Sequence, residues 1–149
     1  MTDNGEQMRE SRTLRVPAPA DAFWEVVADF AGMLRWWPGG IDAVTAEGEG
    51  QGMIRTLHIA GGRTVSERLV LLDPVRRVME LELLDGRPAF MRRYFCRYEV
   101  APDGTGSVLT WSPRCEVDPG AGDSARAYID AGWKAVGGGL CAWGEAHPA

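Results

Sequence analysis

Residues 53–72 read MIRTLHIAGGRTVSERLVLL, two runs of alternating character on either side of a Gly-Gly step. Side chains alternate across a strand, so a single register decides which of them share a face. A three-residue loop over Ala60-Gly61-Gly62 sets Leu57 opposite Val65, Arg55 opposite Glu67 and Met53 opposite Leu69. Ile54, Thr56 and His58 then share the other face with Arg68, Ser66 and Thr64. This pairing sorts apolar from polar best. It also leaves one Arg–Glu couple among apolar neighbours on the inner face.

Working outward, strand-like runs recur at Ile41 to Ala46, Met53 to Ile59, Val65 to Leu72, Val78 to Leu84, Phe90 to Val100 and Val108 to Val117. Turn residues bound each one, among them Asp73-Pro74, Asp85-Gly86 and Pro102-Asp103-Gly104, and such short links make an antiparallel meander. Before these strands, Met8 to Pro17 alternates as a first, edge strand, and residues 1–7 are expected to be a loose tail. Pro19 suits the first turn of a helix that buries Phe23, Val26, Val27 and Phe30 and ends near Phe30. Met33 to Trp37 reads as a short second helix stopped by Pro38-Gly39-Gly40. At the other end Asp123 caps a long helix with an apolar stripe at Ala125, Ile129, Trp133, Val136, Leu140 and Trp143. That stripe must bury itself, and the only large surface available is the sheet. Gly137-Gly138-Gly139 lies inside this helix, where each glycine costs about 1 kcal/mol relative to Ala; the helix ends there, kinks, or keeps a smooth surface for a close neighbour.

The order is therefore α+β, with a seven-stranded curved antiparallel sheet around a long C-terminal helix and two short helices between strands 1 and 2. The 149 residues, 45% of them apolar, suit one domain, over residues 8–145. With 16 basic against 21 acidic residues the net charge is −5, which gives no overall attraction for nucleic acid. No apolar run approaches a membrane span and no signal-peptide core is seen, so a cytoplasmic protein is expected. Three widely spaced cysteines, Cys96, Cys115 and Cys141, agree with a reducing compartment. Without a C-x-x-C, and with His58 and His147 far apart, no metal site is read. Only Lys134 among the basic residues is lysine, and Asn4 is the single Asn; such a bias is expected of a GC-rich, bacterial genome.

Several stretches resemble the SRPBCC superfamily, the helix-grip fold of START lipid-transfer domains, the major birch-pollen allergen and polyketide cyclases or dehydrases. They are Val-Pro-Ala-Pro-Ala-Asp-Ala-Phe-Trp-Glu-Val-Val-Ala-Asp-Phe at 16–30, Gly-Met-Ile-Arg at 52–55, Ser-Glu-Arg-Leu at 66–69 and Val-Leu-Thr-Trp-Ser at 108–112. Members include enzymes, carriers and receptors, so function has to be argued from the pocket.

Carried across the sheet, the alternation puts Leu71, Met79, Leu81 and Leu83 inside, with Arg92, Tyr94, Cys96, Tyr98 and Val100 on the next strand. Leu109, Trp111, Pro113, Cys115 and Val117 follow on the last. Pairing Leu83 with both Glu67 and Arg92 would bring a second arginine near the carboxylate. The long helix adds Ile129, Trp133, Val136 and Leu140, and Trp24, Trp36 and Trp37 close an end. The expected ligand wall is thus Trp36, Met53, Leu57, Leu69, Met79 and Leu81, with Arg92, Cys96, Trp111, Cys115, Ile129, Trp133 and Val136. A buried ion pair stabilises little against apolar packing, so Arg55 and Glu67 are either an anchor for a ligand oxygen or a structural cross-strand bridge. As an anchor, Arg55 donates a forked pair of hydrogen bonds and Glu67 orients it or takes a proton. Cys96 and Cys115 are expected to be inert thiols, since no histidine stands ready to ionise them.

The resemblance implies a hydrophobic small-molecule ligand and, for an enzyme, ring closure or loss of water without a metal or redox cofactor. In that chemistry Glu67 accepts the proton, Arg55 stabilises enolate charge and Tyr94 or Tyr98 donates. A non-catalytic carrier or sensor is the alternative. A third reading presents the outer sheet face, with Ile54 and Phe95, to a partner. A homodimer stays open.

Overall fold

The computed structural model describes residues 4–149. Eight strands form one antiparallel sheet: β1 (Glu6–Arg9), β2 (Arg12–Val16), β3 (Ile41–Glu47), β4 (Ile54–Ile59), β5 (Thr64–Asp73), β6 (Val78–Asp85), β7 (Met91–Asp103) and β8 (Gly106–Val117). They occupy seven positions, in the order β1-β8-β7-β6-β5-β4-β3, because β2 pairs with β8 just as β1 does. The two short strands are one edge strand with a break: Met8 faces Cys115 and Arg12 faces Trp111 in a single unshifted register. The break falls where Glu10 N donates 3.1 Å to the carbonyl of Pro113, a residue with no N–H to return the bond. Glu6 and Gln7 pair with Val117 and Glu116, so the edge begins inside the span expected to be a loose tail; residues 1–3 lie outside the described residues.

The hairpin that opened the reading has the register its alternation demands, with Arg55 opposite Glu67 and Leu57 opposite Val65. Leu69 N reaches Met53 O at 2.9 Å, which extends the pairing past the end of β4. Bulges then bend the strands. One between Leu69 and Leu71 brings Leu72, not Leu71, opposite Met79 and into contact with the core. Another between Met91 and Arg93 alters the phase at the start of β7.

Helix α1 (Ala20–Ala28) buries Ala20, Phe23, Trp24, Val26 and Val27. It stops two residues short of Phe30 because Asp29 leaves helical geometry, and the carboxylate of Asp29 occupies the space a Gly32 side chain would need. A 3₁₀ segment (Phe30–Arg35) follows, earlier than the helix expected over 33–37. Helix α2 (Gly122–Ala146) runs unbroken through all three glycines. They mark a close approach: a Cβ on Gly139 would lie 2.1 Å from the Trp36 carbonyl oxygen, whereas one on Gly138 would meet nothing. Gly144 does the same against Val16. The curved sheet thus grips α2 in a helix-grip α+β fold. Among the described residues no helix is long and apolar enough to cross a membrane.

Candidate functional site

Where the sheet bends away from α2, a cavity of about 390 Å³ opens between strands β4 to β8, the segment from Met33 to Ile41 and one face of the helix. Ten of the residues expected to line it do so: Arg55, Glu67, Tyr94, Tyr98, Trp36, Leu57, Leu81, Cys96, Trp111 and Val136. Its floor and walls are otherwise apolar, with Val65 and Leu83 beside them.

The one inward ion pair among the described residues sits in this wall. Arg55 is 4% exposed and Glu67 14%. The guanidinium places Nε at 2.9 Å and Nη2 at 2.8 Å from the same oxygen, Oε1 of Glu67. Its Nη1 donates 2.8 Å to the Phe30 carbonyl, and Cζ lies 3.8 Å above the Phe30 ring. Nε and Nη1 of Arg55 thus donate to Glu67 and to the Phe30 carbonyl, and Nη2 lies within ion-pair reach of the same carboxylate, so the fork expected to reach a ligand is already engaged. Glu67 Oε2 has no hydrogen bond among the described residues. The carboxylate is thus held by one oxygen, with the other left for whatever enters.

Three phenols stand near it. Burial pushes Tyr94 and Tyr98 well above the ordinary tyrosine range, and Tyr128 upward too. The charge on Glu67 adds to all three shifts, while Arg55 opposes the one at Tyr98. Tyr94 meets Tyr128 edge to face at 5.9 Å, linking sheet to helix. These groups stay protonated at neutral pH. Burial likewise keeps the Cys96 thiol protonated, which leaves it without thiolate character. The indole N–H of Trp36, a cavity residue, is buried with no hydrogen-bond partner among the described residues.

Seven expected wall residues lie elsewhere. Leu69, Met79 and Cys115 do face inward, but they are packed solid in the core, as is Ile129 on α2. Alternation fixes a face and not a position along it; α1 packs against β7 and β8 and fills part of the concavity. Trp133 lies against Trp111, ring centroids 5.4 Å apart, outside the cavity wall, and Met53 sits against the core beside Gly48. Arg92 is displaced by the bulge that precedes Arg93; its Nε donates 2.9 Å to Asp118 Oδ1 at the end of the sheet, and Leu83 faces Glu67 but not Arg92.

The helix side of the cavity, Tyr128, Ala131, Gly132, Ala135 and Val136, escaped the reading except for Val136. Its signal was present as a second stripe at spacings of three and four, made of small residues that leave room. The mouth residues Gly39, Gly40, Ile59 and Arg63 belong to turns and strand ends, where alternation is silent.

Comparison with known proteins agrees with the geometry. The family described as polyketide cyclase / dehydrase and lipid transport matches residues 7–139, and the chain belongs to it, within the SRPBCC superfamily. No curated protein matches. Among solved structures, norcoclaurine synthase from Thalictrum flavum superposes with a TM-score of 0.79 at 20% identity, covering 94% of this chain and 87% of that one. The Zhui aromatase/cyclase from Streptomyces sp. R1128 gives 0.73 at 25% identity, over 93% and 94%. Ara h 8.0201 gives 0.78 at 12%, over 93% and 97%.

Proposed function

We propose that this pocket protein is a cofactor-independent cyclase or dehydratase acting on an apolar, oxygenated substrate, with Glu67 as the proton acceptor. The observation that carries the reading is the half-engaged carboxylate: one oxygen of Glu67 is clamped by Arg55, the other has no hydrogen bond among the described residues, and the residue lines an apolar cavity beside protonated phenols. A base held this way keeps its orientation and loses little freedom when substrate arrives. Arg55 acts through Glu67 as a positioning residue, in place of the direct enolate contact expected from sequence.

In a ring closure, Glu67 takes the proton from a carbon flanked by carbonyls, and the electron pair forms a carbon–carbon bond to a second carbonyl. The oxygen there takes a proton from Tyr94 or Tyr98, and the proton on Glu67 restores the phenol. Loss of water removes a second such proton and the hydroxyl together. Both steps are redox-neutral, and the apolar wall keeps bulk water from intercepting the enolate. The unpaired indole N–H of Trp36 suits a carbonyl-bearing guest. The aromatase/cyclase relative, named for such chemistry, supports the reading by likeness alone.

A carrier is the second reading, favoured by the bond from Arg55 to the Phe30 carbonyl, which makes the arginine a brace as well. The outer-face reading loses ground because the guanidinium groups of Arg93 and Arg114 cover the Phe95 ring at 4.8 and 4.2 Å. The test is turnover of aromatic diketones able to close on themselves, read by mass spectrometry. Glu67→Gln is expected to abolish turnover while diketone affinity stays within about threefold. Equal loss of both supports carriage, and full activity in Glu67→Gln overturns the proposed base.

A further inference from the structure

Almost every arginine of this chain lies within ion-pair reach of a carboxylate, from Arg12 with Asp130 to Arg126 with Asp123. Arg87 instead donates to the backbone carbonyls of Leu83 and Leu84. Among the described residues only Arg9 and Arg63 have neither kind of partner. Arg9 is on the edge strand and outside the cavity. Arg63 is exposed, follows the Gly61-Gly62 turn and lines the cavity. Its charge is felt at the Tyr128 phenol, on the opposite, helical side of the same opening.

The charges inside point the other way. An anion drawn deep into the cavity would meet Glu67, whose ion-pair partner, Arg55, is already shared between that carboxylate and the Phe30 carbonyl. Nor does the molecule attract anions as a whole, with a net charge of −5. An acidic guest therefore has one electrostatically favourable place for its charged group, the mouth.

We propose that Arg63 makes the site selective for amphipathic acids, compounds with a flat apolar body and one carboxylate or comparable anionic group. The anionic end stays at the rim beside Arg63, and the body enters so that its neutral oxygen reaches Glu67. This deepens the function proposed above and rests on the same cavity, but it holds whether the guest is converted or only carried. Because Arg63 is in water, its contribution is that of an exposed ion pair, a few-fold in affinity and sensitive to salt.

The test uses the full chain and two fluorescent probes of nearly the same body, anilinonaphthalene sulfonate and the uncharged N-phenyl-naphthylamine. Arg63→Gln is expected to weaken the sulfonate about two- to fivefold and leave the neutral probe unchanged. Added salt is expected to bring the wild-type affinity for the sulfonate toward that of the variant. Arg9→Gln, the other arginine without a partner, should change neither probe. The proposal is overturned if Arg63→Gln leaves the sulfonate unaffected, weakens both probes alike, or matches Arg9→Gln. If neither probe binds the wild-type chain, the cavity reading falls and this inference with it; a neutral probe that binds beside a sulfonate indifferent to Arg63 overturns this inference alone.

Discussion

The two faces of the sheet use the same chemistry and seal it differently. Glu67 on the inner face and Glu80 and Glu82 on the outer face are covered to nearly the same degree, at 14%, 12% and 15% exposure. Their arginines are not alike. Arg55 is 4% exposed, whereas Arg97 and Arg114 on Glu80 keep 41% and 37%, and Arg68 and Arg93 on Glu82 keep 43% and 62%. Outside, each glutamate has two arginines whose heads remain in water, so one can be lost and the other compensates. Inside, a single desolvated arginine serves a single carboxylate. Such a pair adds little to stability over apolar packing yet is costly to break, so its place in a cavity wall is better explained by what it does to Glu67 Oε2.

The sharpest way to break this comparison is to remove one arginine from each face. Arg55→Met should lower unfolding free energy in urea by about 3 kcal/mol, since it strands a covered carboxylate and the Phe30 carbonyl. Arg93→Gln should cost less than about 1 kcal/mol and less still in high salt. Equal losses would erase the distinction.

A smaller effect separates the two sides of α2. Gly139→Ala should cost about 1–3 kcal/mol, because its methyl group would collide with the Trp36 carbonyl that closes the cavity. Gly138→Ala meets nothing and should gain up to about 1 kcal/mol from helix propensity. Thermal unfolding of the two variants gives both signs directly.

The inner face also predicts a pH response. All three tyrosines of the chain, Tyr94, Tyr98 and Tyr128, are raised above the ordinary value of 10.0, by burial first. The unfolded chain releases these protons near pH 10 while the folded one retains them. Stability is then full below that pH and falls as pH climbs from there toward the folded-state values. Ultraviolet titration should show tyrosinate appearing only with unfolding; phenolate formed at pH 10 in the native protein would place these rings in water.

Much of this was legible from alternation around one turn. The Gly61-Gly62 hairpin fixed which of Arg55, Glu67, Leu57 and Val65 share a face, and that register is the one observed. Period two carries no mark of a bulge, however, so Leu71 was placed where Leu72 sits and Arg92 was drawn toward a carboxylate it does not approach. Nor does it distinguish a filled concavity from an open one, so alternation alone assigns Leu69, Met79 and Cys115 to the wall although they are packed in the core. The triple glycine leaves open whether the helix ends, kinks or keeps room for a close neighbour. The Trp36 carbonyl became that neighbour only through chain geometry far apart in sequence.

Glu67 is held so that one oxygen stays free to meet a polar atom of a guest. NMR of the Glu67 carboxyl carbon addresses it, with the protein titrated by naphthol and, in parallel, by naphthalene. A saturable shift of that resonance is expected with naphthol and little change with naphthalene, both probes occupying the cavity. Binding of both with the same response at Glu67, or with none, would contradict it.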